Sequence, residues 1–373
     1  MQSLDNNTRA FLGLVGAGLW EQEVLLSNYG IIDYAEVYRL ADEQAVTGLV
    51  AAGLGHVTDI KVPMEDLFHF VVQTLQLEKQ NKAMNQFIED LLQKMRTQGI
   101  SAVLVKGQGI AQCYEKPLWR ACGDVDLLIS DSDYNNAKEF LQPSASAVKK
   151  ENVKMRHFAM TIDTWKVELH GHLYTGLFDV TDKVIDGVEK DVFDGGNVRS
   201  WMNGKTQVLL PGVDNDIIFI FTHFLKHFFK GGLGIRQICD LCRLLWTHRT
   251  EIDADLLEIR LRKMRLMSEW KAFGAFAIEY LGMPVEAMPI YDGGSRWKKK
   301  AKRILSFMLM SGNFGQNRDY SFRRRPFLIR KTYAMCRKIG DAFNHALIFP
   351  LDSMRLLLSN LFHGVITAAK GIG

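Results

Sequence analysis

Asp124 and Asp126 stand two residues apart in Gly123-Asp124-Val125-Asp126-Leu127-Leu128-Ile129, at the head of an apolar run. In a strand alternate side chains share a face, so both carboxylates project to one side with Leu128, while Val125, Leu127 and Ile129 take the other. Two ionised acids this close repel each other unless a cation or a proton intervenes, and hard oxygen donors suit Mg2+ or Mn2+. The stretch therefore reads as a divalent-metal platform. A third acid follows in Trp165-Lys166-Val167-Glu168-Leu169-His170. Here Trp165, Val167 and Leu169 share one face, leaving Lys166, Glu168 and His170 on the other, and the run forms a hairpin with His157 to Ile162 across Asp163-Thr164. Paired beside the Asp124/Asp126 strand, Glu168 becomes a third carboxylate facing the same ion site. Three acids on adjoining strands are what two-metal phosphoryl transfer requires, one ion serving the attacking oxygen and the other the leaving phosphate.

Upstream, Ser101 to Val105 is a short β-like run that enters Lys106-Gly107-Gln108-Gly109. Strand, glycine turn and helix in succession offer backbone N–H groups to an anion, and Lys106 adds positive charge; the same succession also serves as a plain turn. Ile110 to Tyr114 is expected to be a short helix. Arg120, four residues before Asp124, is placed to hold a phosphate or orient a carboxylate, unless it is simply a surface arginine. Downstream, the apolar helix Ile217 to Phe229 carries His223 and His227 at i and i+4. Such a pair can ligate zinc, but no acidic or sulfur partner at a recognisable spacing completes the set. A polar helix face lining a cleft, or an ordinary packed pair, is the alternative. Arg236 and Asp240 are spaced for an i,i+4 ion pair, read either as substrate-side groups or as an interhelix contact. Cys239-x-x-Cys242 lies among Leu241, Leu244 and Leu245 in an amphipathic helix and reads as core, not redox chemistry.

Four regions must position these groups. Residues 1–98 form an N-terminal helical region whose longest helix runs from about Met64 to Thr97; 99–215 form an α/β core; 216–295 a helical domain lining the cleft; and 296–373 a basic and amphipathic helical tail. A chain of 373 residues with 47% apolar and 24% charged residues and only 8 prolines has ample material for a buried core, which excludes extensive disorder. The five cysteines are odd in number and scattered, and Met1-Gln2-Ser3-Leu4-Asp5 has no basic region leading into an apolar one, so a reducing, cytoplasmic setting is expected. No unbroken apolar run of about 18 residues suggests a transmembrane helix. Charge is polarised only in residues 296–338, with 14 Lys/Arg against the single acid Asp319. Such a stretch can neutralise phosphates on nucleic acid or another anionic polymer, rest peripherally on the inner face of a membrane, or be no more than a solvated face. The apolar tail from about Asn344 to Ala369 packs on the protein, forms a partner interface or lies beside a bilayer.

Lys106-Gly107, then Tyr114, Pro117 and Arg120, then Gly123 to Ile129, and finally Val167-Glu168-Leu169-His170 resemble the uncharacterised bacterial nucleotidyltransferase family of the DNA polymerase beta-like superfamily, over roughly residues 10 to 320. The resemblance implies an α+β fold: a small mixed β-sheet core with helices on one face, flanked by N-terminal and C-terminal helical regions. It implies a nucleoside triphosphate bound with Mg2+ or Mn2+ and transfer of a nucleoside monophosphate to an acceptor. Asp124, Asp126 and Glu168 would be catalytic and hold metal; Lys106, Gly107, Arg120 and Gly123 would surround the nucleotide; His170, His223, His227, Arg236 and Asp240 would lie on the substrate side. Lys106-Gly107 replaces the superfamily's usual Gly-Ser ahead of the helix. The acceptor stays open among a sugar or glycan precursor, a small metabolite, a protein side chain and an RNA end. Two other readings are a glycosyltransferase, in which Asp-x-Asp usually ends an apolar strand instead of beginning one, and a catalytically weak nucleotide-binding regulatory module.

Overall fold

Alternation along the central strands divides the molecule into two cores. In the computed structural model, which describes residues 4–230, 232–315, 317 and 326–358, seven strands form one mixed sheet. They are β1 (Ala102–Val105), β2 (Asp124–Ile129), β3 (Ala145–Val148), β4 (His157–Ile162), β5 (Trp165–His170), β6 (Val198–Asn203) and β7 (Thr206–Pro211), in the order β3-β4-β5-β2-β1-β7-β6. β2 runs antiparallel to β1 and parallel to β5, and β7 runs parallel to β1. Among the described residues the sheet is flanked by helices that include α1 (Asn6–Trp20), α2 (Tyr34–Glu43), α3 (Thr47–Leu54), α4 (Met64–Thr97), α5 (Gly107–Ala111), α6 (Tyr134–Leu141), α7 (Asp179–Phe193), α8 (Val213–Lys230), α9 (Ile235–Thr247), α10 (Ala254–Met264), α11 (Met267–Leu281), α12 (Ser295–Ser311) and α13 (Phe327–Ala346).

Ala102, Leu104, Val125, Leu127, Ile129, Val167 and Leu169 join a core beneath the sheet with Ile88, Leu91, Leu92 and Met95 of α4. The odd members of β1, Val103 and Val105, and Leu128 of β2 turn the opposite way into a larger core built on α1, α8, α9 and α11. The α+β class holds, but helices cover both faces of the sheet, not one. The physical reason is α8, whose Phe221, Phe224, Leu225 and Phe228 are fully buried and require cover on more than one side. Consequently the face that carries the acids is roofed by a helix and becomes a cleft wall.

Local chemistry sets the element ends. Asp5 accepts from the Thr8 N–H at 2.9 Å and Asp253 from the Leu256 N–H at 2.9 Å, capping α1 and α10. α4 spans 34 residues, about 51 Å at 1.5 Å per residue, and its second half clamps the β6–β7 hairpin. There Asn203 Nδ2 donates to the Asn85 carbonyl at 2.7 Å and the Lys205 N–H donates to Glu89 Oε1 at 2.8 Å. α1 and α3 cross so closely that a Cβ at Gly18 would lie 2.0 Å from the Leu49 carbonyl oxygen. Trp20 Nε1 donates to the Leu281 carbonyl at 2.6 Å, tying this helical pair to α11.

Part of the basic stretch is used internally. Lys298 pairs with Glu279 at 2.7 Å, and Lys300 donates to Ser268 Oγ at 2.8 Å while lying over the Phe349 ring. Arg318, Asp319 and Arg323 to Arg325, with the tail beyond residue 358, lie outside the described residues. No helix among the described residues is long and apolar enough to cross a membrane.

Candidate active site

The register of three strands assembles the acids. Asp126 sits opposite Val105 of β1 on one side and Glu168 of β5 on the other, and Asp124 sits opposite Lys166. Because neighbours in a ladder share a face, Asp124, Asp126, Lys166, Glu168 and His170 rise together from the sheet. Depth differs along the row: the side chain of Asp124 is 43% exposed and that of Asp126 only 5%.

Each carboxylate is matched by a cation or imidazole of the chain itself. Lys106 Nζ lies 2.9 Å and His170 Nε2 2.8 Å from Asp126 Oδ1. Lys166 spans Asp124 Oδ2, at 3.4 Å, and Glu168 Oε1, while His157 Nε2 lies 3.1 Å from Glu168 Oε2. Burial opposes ionisation of Asp126, yet Lys106 and His170 outweigh it and hold the carboxyl well below its ordinary range. Burial likewise opposes ionisation of Glu168; the hydrogen bond with His157 and the charge of Lys166 overcome it, and the neighbouring Asp126 charge, to hold the group at about 2. Such a group is a poor proton acceptor and a good ion ligand. Hard, ionised oxygens on neighbouring strands fit a divalent cation, and Lys106 and Lys166 hold the places of compensating charge.

Lys106 follows β1 with a positive φ of 62°, and Gly107 comes next at φ 43°. A Cβ on Gly107 would lie 3.3 Å from Cys122 Sγ and 3.4 Å from the Asp124 carbonyl oxygen, so the turn lies tightly against the start of β2. This turn opens α5, which begins at Gly107 instead of at Ile110 as expected. Gly123 has open space around it and lines neither lobe of the cleft.

α8 and α9 build the opposite wall. The cleft has two lobes that share Lys106, Glu168, His223 and His227, the acid lobe of about 330 Å³ and a smaller one of about 170 Å³. The acid lobe contains Gly107, Arg120, Asp124, Asp126, Arg236 and Asp240; His170 faces the smaller lobe. His223 Nε2 and His227 Nε2 lie 3.1 Å apart, and the His227 ring meets Phe314 edge-on. Burial, reinforced by Lys106, pushes both imidazoles toward the neutral form, His227 to about 4. Neither belongs to a group of three ligand atoms close enough to share an ion among the described residues.

The expected Arg236–Asp240 pair does not close. Arg120 reaches Asp240 first, with Nε to Oδ1 and Nη2 to Oδ2 both at 2.7 Å, and Tyr114 donates to Oδ1 at 2.7 Å. A fork of two parallel N–H bonds outcompetes a single helix-surface contact. Arg120 is thus engaged with a carboxylate. Arg236 instead donates to the Ala121 carbonyl, and its Nε is buried beside the acid lobe with no partner among the described residues.

His157 and Lys226 also belong to the cleft; His157 was legible as a site residue in the sequence, and Lys226 only as a neighbour of His223 and His227 at helical spacing. Folding the hairpin about Asp163-Thr164 sets His157 directly opposite His170. Lys226, brought in by α8, lines the smaller lobe and is lowered to about 8 by burial together with Lys230 and Lys106. Only the packing of α8 over the sheet places it there.

A family model described as uncharacterised nucleotidyltransferase matches residues 31–282, a span that takes in the whole sheet and the cleft helices. No curated protein and no solved structure matches the chain. The chain belongs to the uncharacterised nucleotidyltransferase family.

Proposed function

We propose that this nucleotidyltransferase-family protein transfers a nucleoside monophosphate from a nucleoside triphosphate to an acceptor hydroxyl, with Asp124, Asp126 and Glu168 as ligands for Mg2+ or Mn2+. The observation that carries the reading is the direct pairing of Asp126 with Glu168 across β2 and β5, with Lys106 2.9 Å from Asp126 at the end of β1. Bound there, a divalent cation supplies charge neutralisation at the phosphates and polarisation of the reacting oxygens.

The chain's own residues do the rest. Asp126 and Glu168 enter the reaction already ionised, so no proton need leave before ligands are presented. Lys106, 2.9 Å from Asp126, is placed to offer a point charge to the phosphates. Arg236, whose buried Nε has no partner among the described residues, faces the same lobe and suits a phosphate oxygen. The roof formed by α8 restricts water at the sheet face, which strengthens each of these contacts. In the transfer the acceptor oxygen bonds to the α-phosphorus, the bond from that phosphorus to the bridging oxygen breaks, pyrophosphate leaves, and the acceptor's proton is lost to solvent.

The test is release of pyrophosphate from α-labelled triphosphates with Mg2+ or Mn2+ across a panel of sugar, metabolite, protein and RNA acceptors. Labelled acceptor and stoichiometric pyrophosphate are expected. Equal transfer by the wild-type chain and by Asp126→Asn would overturn the assignment.

A further inference from the structure

Five of the chain's ten histidines line the smaller lobe of the cleft. Three ligand atoms there lie within 4.8 Å of one another: one nitrogen each from His157 and His170 and one oxygen from Glu168. We propose that His157, Glu168 and His170 form a site for a first-row transition-metal dication, separate in preference from the all-oxygen platform at Asp124 and Asp126. This inference does not depend on nucleotidyl transfer.

Geometry carries it. His157 Nε2 lies 3.1 Å and His170 Nε2 3.7 Å from the same oxygen, Glu168 Oε2. Ligands bonded to one ion at about 2.0–2.2 Å stand about 3.0–3.6 Å apart for angles between octahedral and tetrahedral. Both imidazoles thus stand near ligand spacing from one oxygen, all three donor atoms lie within 4.8 Å of one another, and rotation of the stacked His157 and His170 rings, with His170 exchanging its Asp126 contact for the ion, brings the three donors together. Their backbone is held by the β4–β5 ladder, in which His157 faces His170 and Ala159 faces Glu168. The carboxylate is also oriented, because Lys166 engages Oε1 and leaves Oε2 toward the imidazoles. Glu168 can thus serve both lobes, one oxygen toward each.

Ligand chemistry sets the class of ion. Two imidazole nitrogens favour Zn2+, Co2+, Ni2+ or Fe2+ over Mg2+, which prefers oxygen and retains its waters. Two histidines and one carboxylate leave coordination positions open toward the lobe, where Tyr174, Thr175 and Thr222 line the space. The neighbouring group His172, Asp186 and Glu189 offers only one imidazole. Glu189 is occupied by His172 Nδ1 at 3.0 Å and by the Leu173 N–H, and so braces the end of β5 against α7.

Co2+ and Zn2+ are the probes. Titration of Co2+ into the metal-free full-length chain should produce visible d–d absorption saturating at one ion per chain, displaced by Zn2+ and not by a large excess of Mg2+. His157→Gln and His170→Gln should weaken Zn2+ binding, read by calorimetry, by about 10- to 100-fold. Asp124→Asn and His223→Gln should leave it in place. Zn2+ should also protect His157 and His170 of the wild-type chain from diethyl pyrocarbonate while leaving His56 reactive, a readout that needs no variant to fold. Absence of the band, its retention in both β4–β5 histidine variants, its loss in His223→Gln alone, or equal modification with and without Zn2+ would each overturn the proposal.

Discussion

Asp126 and Asp240 are both buried, both held below the ordinary carboxylate range, and both set in the wall of the same lobe. They differ in what surrounds them. Asp240 is saturated by the Arg120 fork and the Tyr114 hydroxyl, groups that are themselves buried and cannot leave without breaking the packing between α9 and the segment before β2. Asp126 is balanced by a lysine on a turn and by an imidazole, partners that can shift or change charge. A buried ionised acid is therefore a structural post when its partners are fixed, and a reactive site when they can be exchanged for an ion.

Asp126→Asn is expected to have the largest effect. Transfer should fall by about three orders of magnitude, consistent with the several kcal/mol that an ion ligand supplies. The melting temperature should fall only modestly, because asparagine keeps an oxygen for Lys106 and His170 to contact. Persisting activity in a steady-state assay would erase the distinction. Asp240→Ala should do the reverse. Leaving Arg120 buried and unpaired is expected to cost about 3–5 kcal/mol in urea unfolding, while the fraction that remains folded keeps its activity. A loss of turnover as deep as that of Asp126→Asn would instead move Asp240 into the reaction.

Acid sharpens the same contrast. His227 is lowered to about 4 from an ordinary 6.5, so the unfolded chain takes up a proton first. Stability contributed by the neutral imidazole is present above pH 6.5 and is lost as pH falls toward 4, by about 2 kcal/mol once its partial exposure is discounted. His227→Gln should flatten that limb of a pH–stability profile. Glu168 acts in a lower window: its depressed carboxyl stabilises the fold above about 4.5, and that contribution is lost as pH falls toward about 2. A profile with no slope between pH 6.5 and 4 in the wild-type chain would contradict the packing of α8 over the sheet. The smallest effect is expected for Arg120→Lys, which keeps the charge and loses the fork. A cost of about 1–2 kcal/mol should appear as a shift in unfolding midpoint with unchanged activity.

Much of the site could be read before any coordinates. The two-residue spacing of Asp124 and Asp126 and the alternation around Glu168 placed three acids on one face, and the ladder between β2 and β5 sets them side by side. The limits of α4 were also legible, because its apolar stripe ends at Gln98-Gly99. Other features were hidden for physical reasons. β3, the run Ala145 to Val148, is largely exposed and has no buried face to impose alternation. The choice of Arg120 over Arg236 as the partner of Asp240 depends on a contact 120 residues apart in the chain, and local helix spacing pointed to the wrong arginine. The roof over the acids likewise arises from tertiary packing of α8, which no local pattern specifies.

Lys106 occupies a backbone conformation, φ 62°, that costs an L-residue roughly 1–2 kcal/mol and that glycine adopts freely. Lys106→Gly relieves that strain but leaves the buried Asp126 without the cation that outweighs its burial, a cost of about 3–5 kcal/mol that exceeds the relief. The melting temperature should therefore fall, and selection on thermostability and selection on turnover would both retain the strained lysine.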